Sequence, residues 1–162
     1  MRKIKPLGTM CLFAVLLAQA GSGSSSGQTA PKGGAAKNFI GTWRLVSYVG
    51  SDGAAQDRGT GLIIYDAFGN MAAQIMPARP RPKYAGTQPT PDEAKAALSG
   101  YTAYFGTYTV DERAQTVTHH RKGNINPGQA NDDAVRRYKF LPGDRVTLIP
   151  PTGTQLTWER VK

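Results

Sequence analysis

Two short stretches near opposite ends of the chain mirror each other: Gly41-Thr42-Trp43-Arg44-Leu45 and Leu156-Thr157-Trp158-Glu159-Arg160. Each is an alternating run of strand-forming residues centred on a tryptophan. Between them lie short strand candidates separated by turn residues, and one convincing helix. First and last strands of this kind pair most simply with each other, closing a single sheet on itself and removing its edges. The expected fold class is therefore all-β: an antiparallel up-and-down barrel with an interior.

The strands follow in simple succession. Strand one is read from Thr42 to Val49, with Trp43, Leu45, Ser47 and Val49 on one face. Strand two covers Gly61 to Tyr65 and strand three Met71 to Met76, joined by a short hairpin in which Gly69 or Asn70 takes positive φ. Pro77, Pro80, Pro82, Pro89 and Pro91 then interrupt regular strand, and Arg79, Arg81 and Lys83 make this arm basic. Within it, Thr90-Pro91-Asp92-Glu93 reads as a capping box opening a helix over Pro91 to Leu98, stopped by Ser99-Gly100. Strand four is Tyr101 to Val110, strand five Gln115 to Arg121 and strand six Ala134 to Phe140. Arg145 to Ile149 and Gln155 to Arg160 complete a set of eight strands, with one short helix between strands three and four.

The connections after strands two, four and six are short, and those after strands one, three and five are long. Only 150–153 breaks the long set. In an up-and-down barrel, connections alternate between the two rims, so this pattern describes a closed bottom and an open mouth. Trp43 and Arg160 fall together at the closed end, where a guanidinium stacked on an indole, with donors left for carbonyls, acts as a plug.

The N-terminal fifth reads differently. A basic start (Arg2, Lys3, Lys5), a short apolar run from Met10 to Ala18 and the small-x-small site Ala18-Gln19-Ala20 have the layout of a secretory signal peptide, with cleavage expected after Ala20. The run is too short to span a bilayer. Cys11 lies inside the apolar run rather than after it, which argues against a lipid anchor. Residues 21–36 are rich in Gly and Ser and read as a flexible linker, leaving a domain at 37–162. A periplasmic or secreted location follows, with no stable membrane insertion after cleavage. Loss of residues 1–20 removes the single cysteine, and leaves 17 Lys and Arg against 11 Asp and Glu, a net +6. These charges are scattered, with no basic helix or base-stacking motif, so nucleic acid is not an expected partner. No oligomeric state follows from the residues.

Gly41-Thr42-Trp43 is similar to the Gly-x-Trp signature that opens the first strand of lipocalins, and Arg160 stands where they carry an arginine near the last strand. The stretches Gly41 to Ser47, Tyr101 to Glu112, Thr116 to His120, Gly143 to Leu148 and Leu156 to Arg160, in that order, resemble the lipocalin-like domain family of bacteria and fungi. The resemblance covers about residues 38–162 and implies a calycin-type eight-stranded barrel able to hold a small, mainly apolar molecule.

Strand five climbs to the mouth and brings His119 and His120 toward the rim. If Val117 faces inward, so does His119, and His120 faces out. Strand four descends from the mouth, placing Tyr101 and Tyr104 near it and Tyr108 deeper. Strand six begins there, contributing Arg136 or Arg137, of which Arg137 is taken, and Arg79 sits at the root of the proline-rich arm. His119, Tyr104, Tyr101, Arg79 and Arg137 thus form the expected ligand-binding set, suited to fixing a carboxylate or carbonyl of an otherwise apolar molecule. No metal site is expected, because adjacent histidines in a strand point to opposite faces. No cofactor fingerprint, nucleophile motif or carboxylate pair is present. The leading expectation is a ligand-binding or carrier barrel. A cofactor-free isomerase, cyclase or hydrolase in the same cup, or an envelope interaction domain with a side-chain-filled barrel, are the alternatives.

Overall fold

The computed structural model describes residues 33–57 and 59–162. The signal-peptide reading of 1–20, Cys11 and most of the proposed linker lie outside the described residues. Eight strands form one closed barrel in sequence order: β1 (Gly41–Val49), β2 (Thr60–Tyr65), β3 (Asn70–Met76), β4 (Thr102–Asp111), β5 (Thr116–Asn124), β6 (Asp133–Leu141), β7 (Arg145–Ile149) and β8 (Gln155–Arg160). Every neighbouring pair is antiparallel, and β1 closes on β8 with Trp43 opposite Arg160 and Leu45 opposite Trp158.

A six-residue helix, α1 (Gly34–Phe39), precedes β1. This helix therefore lies partly within the stretch expected to be linker. Ala36 and Phe39 are buried, and the Ala35 N–H donates to Glu112 Oε1 at 2.8 Å. That carboxylate lies in the turn between β4 and β5, so the helix start is capped from a distant segment rather than by a local side chain. The second helix, α2 (Pro91–Leu98), carries the expected capping box: the Glu93 N–H donates to Thr90 Oγ1 and the Thr90 N–H to the Glu93 carboxylate at 2.7 Å. None of its residues is buried. A 3₁₀ turn (Pro127–Gln129) lies between β5 and β6.

Two β-bulges redirect side chains. In β1, Leu45 pairs with Trp158 and Ser47 with Thr157, leaving Val46 as the extra residue. Parity flips there, so Tyr48 rather than Ser47 lines the interior, and the expected Trp43/Leu45/Ser47/Val49 face holds only as far as Leu45. In β5, Lys122 is the extra residue, between Arg121 opposite Gly106 and Gly123 opposite Phe105. A Cβ on Gly106 would stand 2.0 Å from the His120 carbonyl oxygen, so the backbones approach here only because this residue is glycine.

The barrel's lower half is solid. Phe39 rises from α1 against Tyr65, Tyr138 and Phe140, with ring centres 5.3, 5.1 and 5.1 Å apart, and Tyr65 packs edge-on to Tyr108 at 4.8 Å. Trp43 Nε1 donates to the Phe39 carbonyl at 2.7 Å. Below it, the Arg160 guanidinium lies 4.1 Å from the Trp43 ring centre and donates to the carbonyls of Ile40 and, at 2.7 Å, Asn38. Gly41 holds φ +137°, and a Cβ on it would press within 2.5 Å of Arg160 Nη1. The glycine, the tryptophan and the arginine are thus one unit that seals the bottom.

Candidate functional site

Above the aromatic plug the barrel is open. A cup of about 380 Å³ is walled by Ile63, Ala73, Ile75, Leu148, Leu156 and Trp158, with Tyr48, Tyr104 and Arg136 as its larger polar side chains. Its rim includes Thr102, Pro150, Thr152 and Thr154, at the end bearing the long connections. No aspartate or glutamate lines it.

Tyr104, in the lining of the cup, ends a hydrogen-bonded triplet whose other members, His119 and Tyr65, are buried behind it. His119 has no exposed surface, and both of its ring nitrogens are engaged. Nε2 lies 2.8 Å from the Tyr65 hydroxyl and Nδ1 lies 2.9 Å from the Tyr104 hydroxyl. Burial, followed by the nearby Arg136, Arg121 and His120, holds the imidazole well below its usual pKa, so the ring is neutral at pH 7. Burial likewise pushes both tyrosine hydroxyls up, well up for Tyr65. Two guanidinium groups approach the Tyr104 ring, Arg121 at 5.7 Å and Arg136 at 5.9 Å from its centre. Arg121 is clamped by Asp132, Nε and Nη2 each donating at 2.6 Å. Arg136 gives one hydrogen bond to the Ala134 carbonyl at 2.9 Å and meets no carboxylate among the described residues.

The structure brings together only part of the set expected from sequence. His119 and Tyr104 meet, but at mid-barrel: His119 sits opposite Tyr108, and β5 continues beyond it to Asn124 through the Lys122 bulge. Tyr101 is a correction. It shares parity with the outward Ala103 and Phe105, and its hydroxyl donates to Gln74 on the outer face at 3.3 Å, beneath the Arg81 guanidinium. Arg79 is a second correction, since it donates to the carbonyls of Ala96 and Ser99 and ties the proline-rich arm to the end of α2. Arg137 is a third. Tyr138 and Phe140 pack into the core, so Arg136 shares the inner face and Arg137 is exposed.

Tyr65, Tyr48, Trp158 and Arg121 were missed. Alternation from Ile63 marks Tyr65, and the symmetry of the two tryptophan stretches marks Trp158. Tyr48 is concealed by a bulge that leaves no trace in composition. On the outer face, His120 bridges Asp133 (2.7 Å at Nδ1) and Thr109 (2.9 Å at Nε2). This has the order of an acid, a base and a hydroxyl, but His120, Asp133 and Thr109 lie on strand surface outside the cup, where they form a cross-strand tie. Among the described residues, no group of three His, Cys, Asp or Glu converges as a metal site, and no helix is long and apolar enough to cross a membrane.

A closed eight-stranded antiparallel barrel with one end plugged and the other hollow is the architecture of calycin-type binding barrels. Within that class, the lipocalin-like domain pattern matches residues 40–161, and the chain belongs to the lipocalin-like domain family. Among solved structures it is similar to a lipocalin-like protein from Bacteroides uniformis ATCC 8492, with a TM-score of 0.50 at 15% identity, covering 76% of this chain and 99% of that one. A protein from Bacteroides eggerthii DSM 20697 is similar with a TM-score of 0.47 at 13% identity, over 76% of this chain and 99% of that one. No curated protein matches the chain.

Proposed function

We propose that this chain is an exported binding or carrier barrel that holds a small, mainly apolar molecule in the upper half of its interior. The observation that carries the reading is the division of the interior: aromatic side chains fill the bottom, while a cup of about 380 Å³ stays open above them. That volume lies within the range of about 300–1,000 Å³ typical of small-molecule sites, and the wall has their usual character of apolar residues with a few convergent polar groups. Family membership supports a binding role, and the signal-peptide layout of residues 1–20 supports export. A wholly filled barrel finds no support in this interior. The binding reading is favoured over an isomerase or hydrolase because His119 is buried with both ring nitrogens bonded to tyrosine hydroxyls and does not line the cup.

The reading is tested by expressing the full sequence with export into a bacterial periplasm and recording native and denaturing mass spectra of the purified protein. A small apolar adduct, present natively and lost on denaturation, is the expected result. An adduct-free spectrum, together with no fluorescence gain from an apolar probe, overturns it.

A further inference from the structure

Where Tyr104 and Arg136 line the cup, the hydrogen-bonding capacity left over belongs to donors. From this we infer that the molecule held there is an apolar monocarboxylate whose head accepts from Tyr104 and Arg136, an inference that rests on the cup being the binding site.

The first step is a count of protons. A neutral imidazole offers one N–H and one acceptor nitrogen, so of the two tyrosines that touch His119 one donates to the ring and the other accepts from it. Tyr65 is sealed inside the barrel, and among the described residues the ring nitrogen is the only hydrogen-bond partner of its hydroxyl. If Tyr65 accepted, its own O–H would be stranded in the interior. Tyr104 borders the cup, so its hydroxyl can turn a proton toward whatever enters. The satisfied arrangement therefore runs one way. Tyr65 donates to Nε2, His119 carries its proton on Nδ1 and donates to Tyr104, and the Tyr104 O–H is left for the ligand. Each bond in such a chain polarises the next, making the last hydroxyl a better donor than an isolated one.

The second step concerns charge. Of the two cations beside Tyr104, Arg121 is neutralised by Asp132, whereas Arg136 lines the cup without a carboxylate partner among the described residues. A guanidinium facing an apolar cavity calls for an anion, and a carboxylate is the small planar anion whose two oxygens accept from both Arg136 and Tyr104.

Two measurements on the protein expressed from its full sequence decide the matter. A long-range ¹H–¹⁵N correlation of the histidine rings is expected to show His119 protonated on Nδ1, and a proton on Nε2 overturns the donor chain. Titration with a matched pair, decanoate and decan-1-ol, reads the head group while the tail stays constant. Decanoate is expected to bind about tenfold more tightly, and Arg136→Gln to remove that advantage while leaving decanol within about twofold. Equal binding of the two probes by the unaltered protein, or equal losses for both in Arg136→Gln, overturns the carboxylate assignment and leaves the cup as a binding site. Binding of neither probe overturns both.

Discussion

At the scale of single residues, His119 carries the most physical information. Its imidazole is neutral and sealed in the fold, whereas in the unfolded chain it takes up a proton near its ordinary pKa of about 6.5. The folded value is depressed, so the unfolded state binds more protons below that pH and stability falls as the solution is acidified. Well above that pKa, beyond about pH 8, the group contributes almost no slope. In the window below about pH 6.5 this one residue makes stability fall with falling pH, until the folded ring itself takes up a proton. Urea midpoints of the unaltered protein are expected to drop across that window, and those of His119→Gln to drop less. A parallel decline in both proteins would show that the ring titrates normally. The inward orientation of His119 was legible in sequence, because Val117 sets the parity. Its depth was not, since nothing in the composition announces the extra residue at Lys122. Arg136 was also within reach of alternation, by counting back from Tyr138 and Phe140, and its choice over Arg137 needed only that the aromatic pair be taken as the anchor.

At the scale of elements, what sequence reveals divides along local and non-local causes. β7, β8 and α2 keep the boundaries read from turn residues and from the Thr90–Glu93 capping box, because those signals lie within the element itself. Helix α1 escapes the same reading because its cap, Glu112, is supplied from the other side of the barrel and its anchor, Phe39, gains its value only by entering the aromatic plug. The bulge at Val46 escapes for a related reason. It is fixed by register against β8, and it exchanges Ser47 for Tyr48 in the wall of the cup. The β5 bulge makes a sharp demand on one residue, Gly106. Replacing it with alanine drives a methyl group into the His120 carbonyl, and the expected cost is about 2–4 kcal/mol, read as a lowered urea midpoint with unchanged slope. Unaltered stability in Gly106→Ala would mean that the two strands are not held this close.

At the scale of the whole molecule, the alternation of short and long connections describes a barrel closed below and open above, and the interior follows that division. The lower half is held by Phe39, Tyr65, Tyr108 and Tyr138 over the Trp43–Arg160 seal, and the upper half is the cup. The site expected from sequence was a polar cluster within an apolar cavity, and of its members the structure brings His119 and Tyr104 together. Tyr101 and Arg79 lie apart from that pair, on the outer face and in the proline-rich arm. A long arm at the mouth is an attractive place to look for ligand contacts, yet its arginines are spent on the carbonyls that end α2.

The central claim is that a small apolar molecule occupies the cup, and the most direct test is to map where one binds. Backbone amide chemical shifts of isotopically labelled protein would be followed during titration with decanoate. Saturable changes are expected at Tyr48, Ile75, Thr102, Tyr104, Arg136 and Leu156, with Ser47, Tyr101 and Arg137 comparatively still. Changes centred on the arm and α2, or spread over the outer face of the barrel with the cup residues unmoved, would contradict the account.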